Sequence, residues 1–309
     1  ETYERHLDFC DTNDERLESG AKRGDRKREH GVDDSGAIEV YRRALSLSTT
    51  HVASRAALSK LLESSENPTR REAALILKPI FEGEGDNEKL LTTLLIEVDT
   101  TDDPLDKLNG LEASMRVAEG PLGDAQRAFG LAERAVRSAV GHSDLVPWFT
   151  HLERLAAATS RQAEYVKLLC DVVPEIFDGD VQLIVTLKIA DLARHKLADR
   201  ELARTYYKKA LELRAEDKQA LTALESLYEE GGDARNLLEI LERRTEVSEN
   251  DEERKSLLFR RAKLLSEALS ERRRAIEVYE TILDITLEKD ALTALEALYT
   301  SESMWTELV

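Results

Sequence analysis

The sequence predicts an all-α fold, a solenoid of antiparallel helical hairpins, and three observations carry that reading. The first is a long internal repeat. Ala220 to Tyr228 reads ALTALESLY, and Ala291 to Tyr299 reads ALTALEALY at an offset of 71. AIEVY occurs at Ala37–Tyr41 and again at Ala275–Tyr279, an offset of 238. ARTYY at Ala203–Tyr207 precedes the second of these by an offset of 72, and AFGLA at Ala128–Ala132 precedes Ala203 by one of 75. The offsets of 71, 72 and 75 are about twice 34–36, so the repeating unit is a pair of hairpins, four helices long. The second observation is the period within each segment. Leu257, Leu258, Ala262, Leu264 and Leu265 fall on one helical face, as do Ala275, Ile276, Tyr279, Ile282 and Leu283. The third is that no alternating strand pattern competes, while 14 Gly and 6 Pro leave long stretches uninterrupted.

Taken in order, these periods place eighteen helices near 1–10, 14–31, 34–47, 50–64, 69–83, 86–98, 104–119, 121–140 and 143–158, then near 160–177, 180–197, 199–213, 216–230, 233–247, 251–269, 271–285, 288–299 and 303–309. The junctions follow turn chemistry. Gly83 with Gly85 and Gly231-Gly232 end helices, and Asp102-Asp103-Pro104 opens one, because proline suits a first helical turn. From 233 to 309 there is neither Gly nor Pro, so helices there must end at polar junctions such as Ser248–Asp251. The expected result is one solenoid over 1–309, with four-helix units of about 72 residues.

Two irregularities interrupt the spacing. Ala128 stands at an offset of 91 from Ala37, so an additional helix is expected near 69–83, with Pro79 kinking it. Leu17–Gly31, shifted by 238, aligns with Phe259, Ala262 and Leu265 but offers Ala21, Gly24 and Lys27. Its apolar stripe is eroded and its glycines disfavour a helix, so this segment is expected to be the loosest.

The hairpins resemble tetratricopeptide repeats over essentially the whole chain. The residues carrying the resemblance are small ones in a first helix (Ala190, Ala262) and Ala opening the second (Ala37, Ala128, Ala203, Ala275). An aromatic follows four later (Tyr41, Tyr207, Tyr279). Alternate hairpins carry Leu224/Leu227/Tyr228 with Ala234, Leu295/Leu298/Tyr299 with Trp305, and Leu77/Ile80/Phe81 with Asn87. Small side chains let paired helices approach, and an aromatic one turn on fills the groove. Two departures stand out: an extra loop residue within Glu267–Arg274, and Glu225 and Glu296 at a position that is usually small. The four-helix style is similar to that of long arrays in large bacterial proteins. The resemblance implies a right-handed superhelix with a concave surface lined by first helices. Its lining positions would include Asn109, Glu112, Arg116, Asp191, Arg194, His195, Thr222, Ser226, Glu229, Phe259 and Lys263.

Composition excludes several classes. With 44 Lys+Arg against 62 Asp+Glu the net charge is −18, which argues against a nucleic-acid or anionic-membrane surface. No run approaches the ~18 apolar residues of a membrane span, so no membrane insertion is expected. Cys10 and Cys170 cannot build a disulfide framework or a four-thiolate zinc site. Unpaired cysteines and no export signal point to the cytoplasm. There is no Gly-rich phosphate loop, no His-Glu-x-x-His and no Gly-x-Ser-x-Gly, so neither catalysis nor a metal or cofactor is expected here. His142 and His151 are near enough for one hairpin, yet read more simply as solvated histidines. Cys170 reads as a small buried hydrophobe, and Trp148 and Trp305 as packing residues. Lys22, Arg23, Arg26, Lys27 and Arg28 read as a solvated face neutralised by Asp25, Glu29, Asp33 and Asp34. Glu229-Glu230 and Glu252-Glu253 read as surface charge at helix ends.

What remains is a protein-interaction scaffold for a peptide or helix with some basic residues. The alternatives are a structural element of a larger assembly, or an accessory region beside a catalytic domain outside these residues. Repeat arithmetic also speaks to the ends. An offset of 71 puts Val309 on Leu238, and one of 238 puts Glu1 on Glu239, so the chain begins and ends inside one helix. With Trp305, Leu308 and Val309 on an apolar face, the expectation is a segment of a longer repeat protein whose ends associate.

Overall fold

The computed structural model describes residues 34–64, 66–141 and 145–304. Among these the chain forms fifteen α-helices and no strand. In order they are α1 (Asp34–Leu47), α2 (Val52–Leu61), α3 (Asn67–Glu84), α4 (Asn87–Thr100), α5 (Pro104–Glu119), α6 (Ala125–Ala139), α7 (Val146–Thr159) and α8 (Gln162–Val172). Then come α9 (Gly179–His195), α10 (Arg200–Leu213), α11 (Lys218–Gly231), α12 (Ala234–Val247), α13 (Asp251–Lys263), α14 (Arg272–Ile285) and α15 (Lys289–Glu302). The expected helices at 1–10 and 14–31 lie outside the described residues, as do the eroded stripe, the Lys22–Arg28 cluster, His142 and Trp305; of the one expected at 303–309 only Ser303 and Met304 are described, and they form the turn after α15. The chain divides after Tyr165 into two compact units. Within the first, each helix from α1 to α7 packs on the next; within the second, α9 to α15 do the same. Each is an array of helical hairpins in chain order.

Aspartate caps seven of these fifteen helices. The carboxylates of Asp86, Asp103, Asp124, Asp178, Asp199, Asp217 and Asp233 accept from backbone N–H groups in the first turn, satisfying donors that have no partner within the helix. Asn250 does this for α13, and the His51 ring for α2.

The helix ends carry the repeat in their backbone. Gly85, Ser160, Gly232 and Ser303 all have positive φ, at successive offsets of 75, 72 and 71. After each, an N–H reaches back to a carbonyl in the last turn, as from Asp233 to Tyr228 (2.9 Å) and from Met304 to Tyr299 (2.9 Å). A second series, Gly123, Ala198 and Ser270, has offsets of 75 and 72. Its turns are one residue wider. Leu269 N–H bonds the Leu264 carbonyl (3.1 Å) and Glu271 N–H the Leu265 carbonyl (2.8 Å). Leu197/Leu192 with Asp199/Ala193, and Leu122/Val117 with Asp124/Ala118, repeat that pattern. The extra residue expected in Glu267–Arg274 is therefore taken up by a wide turn common to three hairpins. In the last of them it also winds Leu264–Ala268 as a π-helix, so the single helix expected at 251–269 changes type there. The helix expected to run to 177 ends at Val172, with a 3₁₀ turn at Val173–Glu175 containing Pro174.

The helix expected near 69–83 is α3, which continues through Pro79. Its terminal Gly85 belongs to the first series, so α3 keeps the repeat spacing, and the short α2 is the helix outside it.

The small residues lie where helices meet. Ala37, Ala128, Ala190, Ala203, Ala262 and Ala275 are fully buried. Tyr41, Tyr207 and Tyr279 fill the adjoining space, as do Phe81, Tyr228 and Tyr299 in the alternate hairpins. A Cβ at Gly110 would stand 2.6 Å from Val98 Cγ2, so glycine there is what lets α5 approach α4.

Candidate functional site

The predicted lining residues fall in two places. In the first unit, Asn109, Glu112 and Arg116 lie on α5, all three exposed. Glu112 and Arg116 pair with each other along the helix at 2.8 Å. Asn109 borders a cavity of about 290 Å³ whose charged walls are Arg71, Lys78, Glu97 and Asp106. Lys78 of α3 bonds Glu97 of α4 at 2.9 Å, while the second oxygen of Glu97 is buried without a partner among the described residues.

In the second unit, α9, α11 and α13 carry the other eight, and most of these tie helices together. Arg194 of α9 donates to Ser226 Oγ at 2.8 Å and to the Ala223 carbonyl at 3.5 Å, and pairs with Glu230 at 3.1 Å, all three on α11. Asp191 accepts from the Tyr207 hydroxyl and from Gln219 Nε2 at 2.8 Å. Burial raises the Tyr207 phenol above its usual range, and the Asp191 carboxylate adds to that. Glu229 of α11 pairs with Arg260 of α13. Phe259 is half-buried and packs edge-on against Tyr279 of the core, with ring centres 6.1 Å apart. His195, Thr222 and Lys263 remain exposed.

At the centre of this wiring is Glu225, a residue the sequence marks only as large where a small one is usual. Its side chain is 8% exposed and lies between two guanidiniums, Arg244 of α12 at 2.5 Å and Arg260 of α13. Arg244 continues to Glu253 at 2.7 Å. Burial lowers the Arg244 and Arg260 pKa values, but the bonds and charge of Glu225 outweigh it and hold both raised. Glu229 and Glu230, expected as plain surface charge, are members of this inter-helix network. A further signal was available in the sequence. An offset of 147 carries Lys78 onto Glu225 and Glu97 onto Arg244, so the two units hold the same pair with its charges exchanged.

Elsewhere, His151 and Arg154 share Glu119, at 3.1 and 2.5 Å. Cys170 is half-buried and burial raises its thiol pKa, which leaves little thiolate to react. Among the described residues no group of three His, Cys, Asp or Glu side chains is placed to hold a metal, and no helix is long and apolar enough to cross a membrane.

No family model matches the chain, and no curated protein matches it. Solved structures similar to it include the STAND signal-transduction ATPase with a tetratricopeptide repeat sensor from Pyrococcus horikoshii, at 15% identity over 97% of this chain and 49% of that one, with a TM-score of 0.33. Naa15/Naa10 bound to HypK-THB matches at 15% identity over 93% and 51%, TM-score 0.25. The human IFIT1 dimer with PPP-AAAA matches at 14% over 99% and 86%, TM-score 0.29. The chain thus spans about half the length of the first two. At such values the likeness fixes no site, and the fold rests on the helices and turns described above.

Proposed function

We propose that the chain is a non-catalytic protein-interaction scaffold of the tetratricopeptide-repeat kind, binding a peptide or helix of a partner on its first-helix face. The observation that supports this most is the wiring of α9, α11 and α13. Arg194 joins α9 to α11, and Glu225 and Glu229 join α11 to Arg260 of α13. Side chains that tie successive first helices together fix the spacing of those left outside them, here His195, Thr222 and Lys263. A surface held this way loses little conformational freedom on binding, and preorganisation of that kind raises affinity. The net charge of −18 favours a partner segment with basic residues.

The test is a pull-down comparing wild type with the T222R/K263E double variant, which alters two exposed side chains and leaves the network whole. Loss of a captured partner at unchanged helix content supports the reading. Equal capture by both proteins would remove binding from this face. Arg194 is unsuitable for such a test, because reversing its charge also breaks the α9–α11 contact.

A further inference from the structure

The surface formed by the second helices α10 and α12 with α11 holds a cavity of about 360 Å³, separate from the first-helix face. Its walls are Lys208, Leu211 and Glu212 of α10, Leu224 and Tyr228 of α11, and Asn236, Glu239, Ile240 and Arg243 of α12. That volume is within the ~300–1,000 Å³ usual for small-molecule sites. Tyr228 is 2% exposed, and its hydroxyl is buried with no hydrogen-bond partner among the described residues. Leaving a buried donor unsatisfied is unfavourable, and such groups call for an explanation.

The repeat shows what is missing. Tyr299 occupies the equivalent place one unit later, and its hydroxyl donates to Glu280 Oε1 at 2.6 Å. The residue equivalent to Glu280, at an offset of 72, is Lys208. Its ammonium stands 5.8 Å from the Tyr228 ring centre and can accept nothing. In the other two alternate hairpins the equivalent residues are Phe81 and Ala156, neither of which has a hydroxyl to satisfy. Among these four hairpins, only this one combines the phenol with a cation in place of its acceptor.

The charges around it are separable. Arg243 and Glu239 pair with each other at 2.8 Å, and the Asn236 amide nitrogen is committed to Asp233 at 2.6 Å. Lys208 and Glu212 stand one turn apart on α10 without forming an ion pair with each other. That leaves a phenol donor, the Lys208 ammonium, whose charge is also felt by the Asp233 carboxylate, and the Glu212 carboxylate, beside the aliphatic side chains of Leu211, Leu224 and Ile240. A lone anion would meet Lys208 and Tyr228 but also the Glu212 carboxylate. A zwitterion meets both signs. We infer that this cavity binds a small apolar amino acid, its carboxylate on Tyr228 and Lys208, its ammonium on Glu212, and its side chain against the leucines and Ile240.

The test is calorimetric titration of the whole chain with L-leucine, N-acetyl-L-leucine and L-leucinamide, on wild type and on Y228F. The variant deletes one oxygen, and Phe81 shows that phenylalanine fits the equivalent place, so it should fold. Leucine should bind wild type with a Kd below ~1 mM, and at least tenfold more weakly in Y228F. Both analogues should also bind wild type at least tenfold more weakly, because each lacks one of the two charges. No heat with leucine on wild type would mean that the cavity holds solvent only and would overturn the inference. Undiminished binding in Y228F, or N-acetyl-leucine binding as well as leucine, would overturn it too.

Discussion

The equivalence of Glu225–Arg244 and Lys78–Glu97 can be tested by exchanging charges. In E225K an ammonium replaces the carboxylate between Arg244 and Arg260, so three cations meet at a site where the native side chain is 8% exposed. Leaving a buried charge without its partner costs about 3–5 kcal/mol. Arg244 and Arg260 are 20% and 38% exposed, and solvent screening around them places the expected loss near the lower end, ~3 kcal/mol. For a unit of this size that corresponds to a fall of roughly 6–12 °C in Tm. The first unit shows the remedy. Where the second has Glu225, Arg244 and Arg260, the first has Lys78, Glu97 and Ala113. The E225K/R244E/R260A triple variant rebuilds that arrangement, and should recover all but ~1 kcal/mol of the loss. Urea unfolding followed by far-ultraviolet circular dichroism measures the difference, and hydrogen exchange in α11–α13 assigns the transition to the right unit. A triple variant no more stable than E225K would show that the two pairs are not interchangeable, and that the repeat does not extend to this contact.

Other outcomes follow from single positions. Ala275 is fully buried where α14 meets α13, so A275R should lose more than ~3 kcal/mol; a loss under ~1 would mean no close contact exists there. Ala198 (φ 54°) and Ser270 (φ 58°) hold a left-handed turn that glycine adopts without strain, so A198G and S270G should each gain ~0.5–1 kcal/mol, and a lower Tm in both would contradict the turn geometry. Asp233 caps α12, and its bonds from the Asn236 side chain and backbone hold its carboxyl below the ordinary value. A depressed folded pKa stabilises above the unfolded value near ~4 and loses that contribution as pH falls through the folded value, so D233A should cost ~1 kcal/mol at neutral pH and progressively less below pH ~4. A gap between D233A and wild type that is unchanged down to pH ~2 would mean that the carboxylate is not what caps the helix.

The helix spans were legible because their causes are local. Periodicity, an aspartate before the first turn and a left-handed residue after the last all act within a few positions, and α1 and α5 run where the sequence places them. Turn width was half legible: an additional residue was visible, but its winding into a π-helix and wide turn depends on how α13 and α14 meet. The lining residues were legible only as positions. Whether Arg194 reaches a partner or Ser226 depends on the distance between α9 and α11, which a whole intervening helix separates in sequence, and no local pattern contains it. Glu225 shows the same limit more sharply. A carboxylate in a place for small residues is visible as an exception, yet the two arginines that make it tolerable come from two other helices.

This wiring changes what the net charge means for binding. Pairing leaves the far field as it was, since 44 cations cannot cancel 62 anions however they are arranged. Near the first-helix face of the second unit the account differs, because Asp191, Glu225, Glu229 and Glu230 are already held by hydroxyl, amide or guanidinium donors. The predicted lining positions left outside are His195, Thr222 and Lys263, none of them acidic. On the function proposed above, long-range attraction brings a basic segment toward the chain, while close contact there is made with neutral or cationic side chains. Charge then acts mainly on the rate of encounter, and packing and hydrogen bonds on the lifetime of the complex. Added salt should accordingly slow association well before it speeds dissociation. A partner whose dissociation rate rises steeply with salt would instead be held by carboxylates elsewhere on the chain.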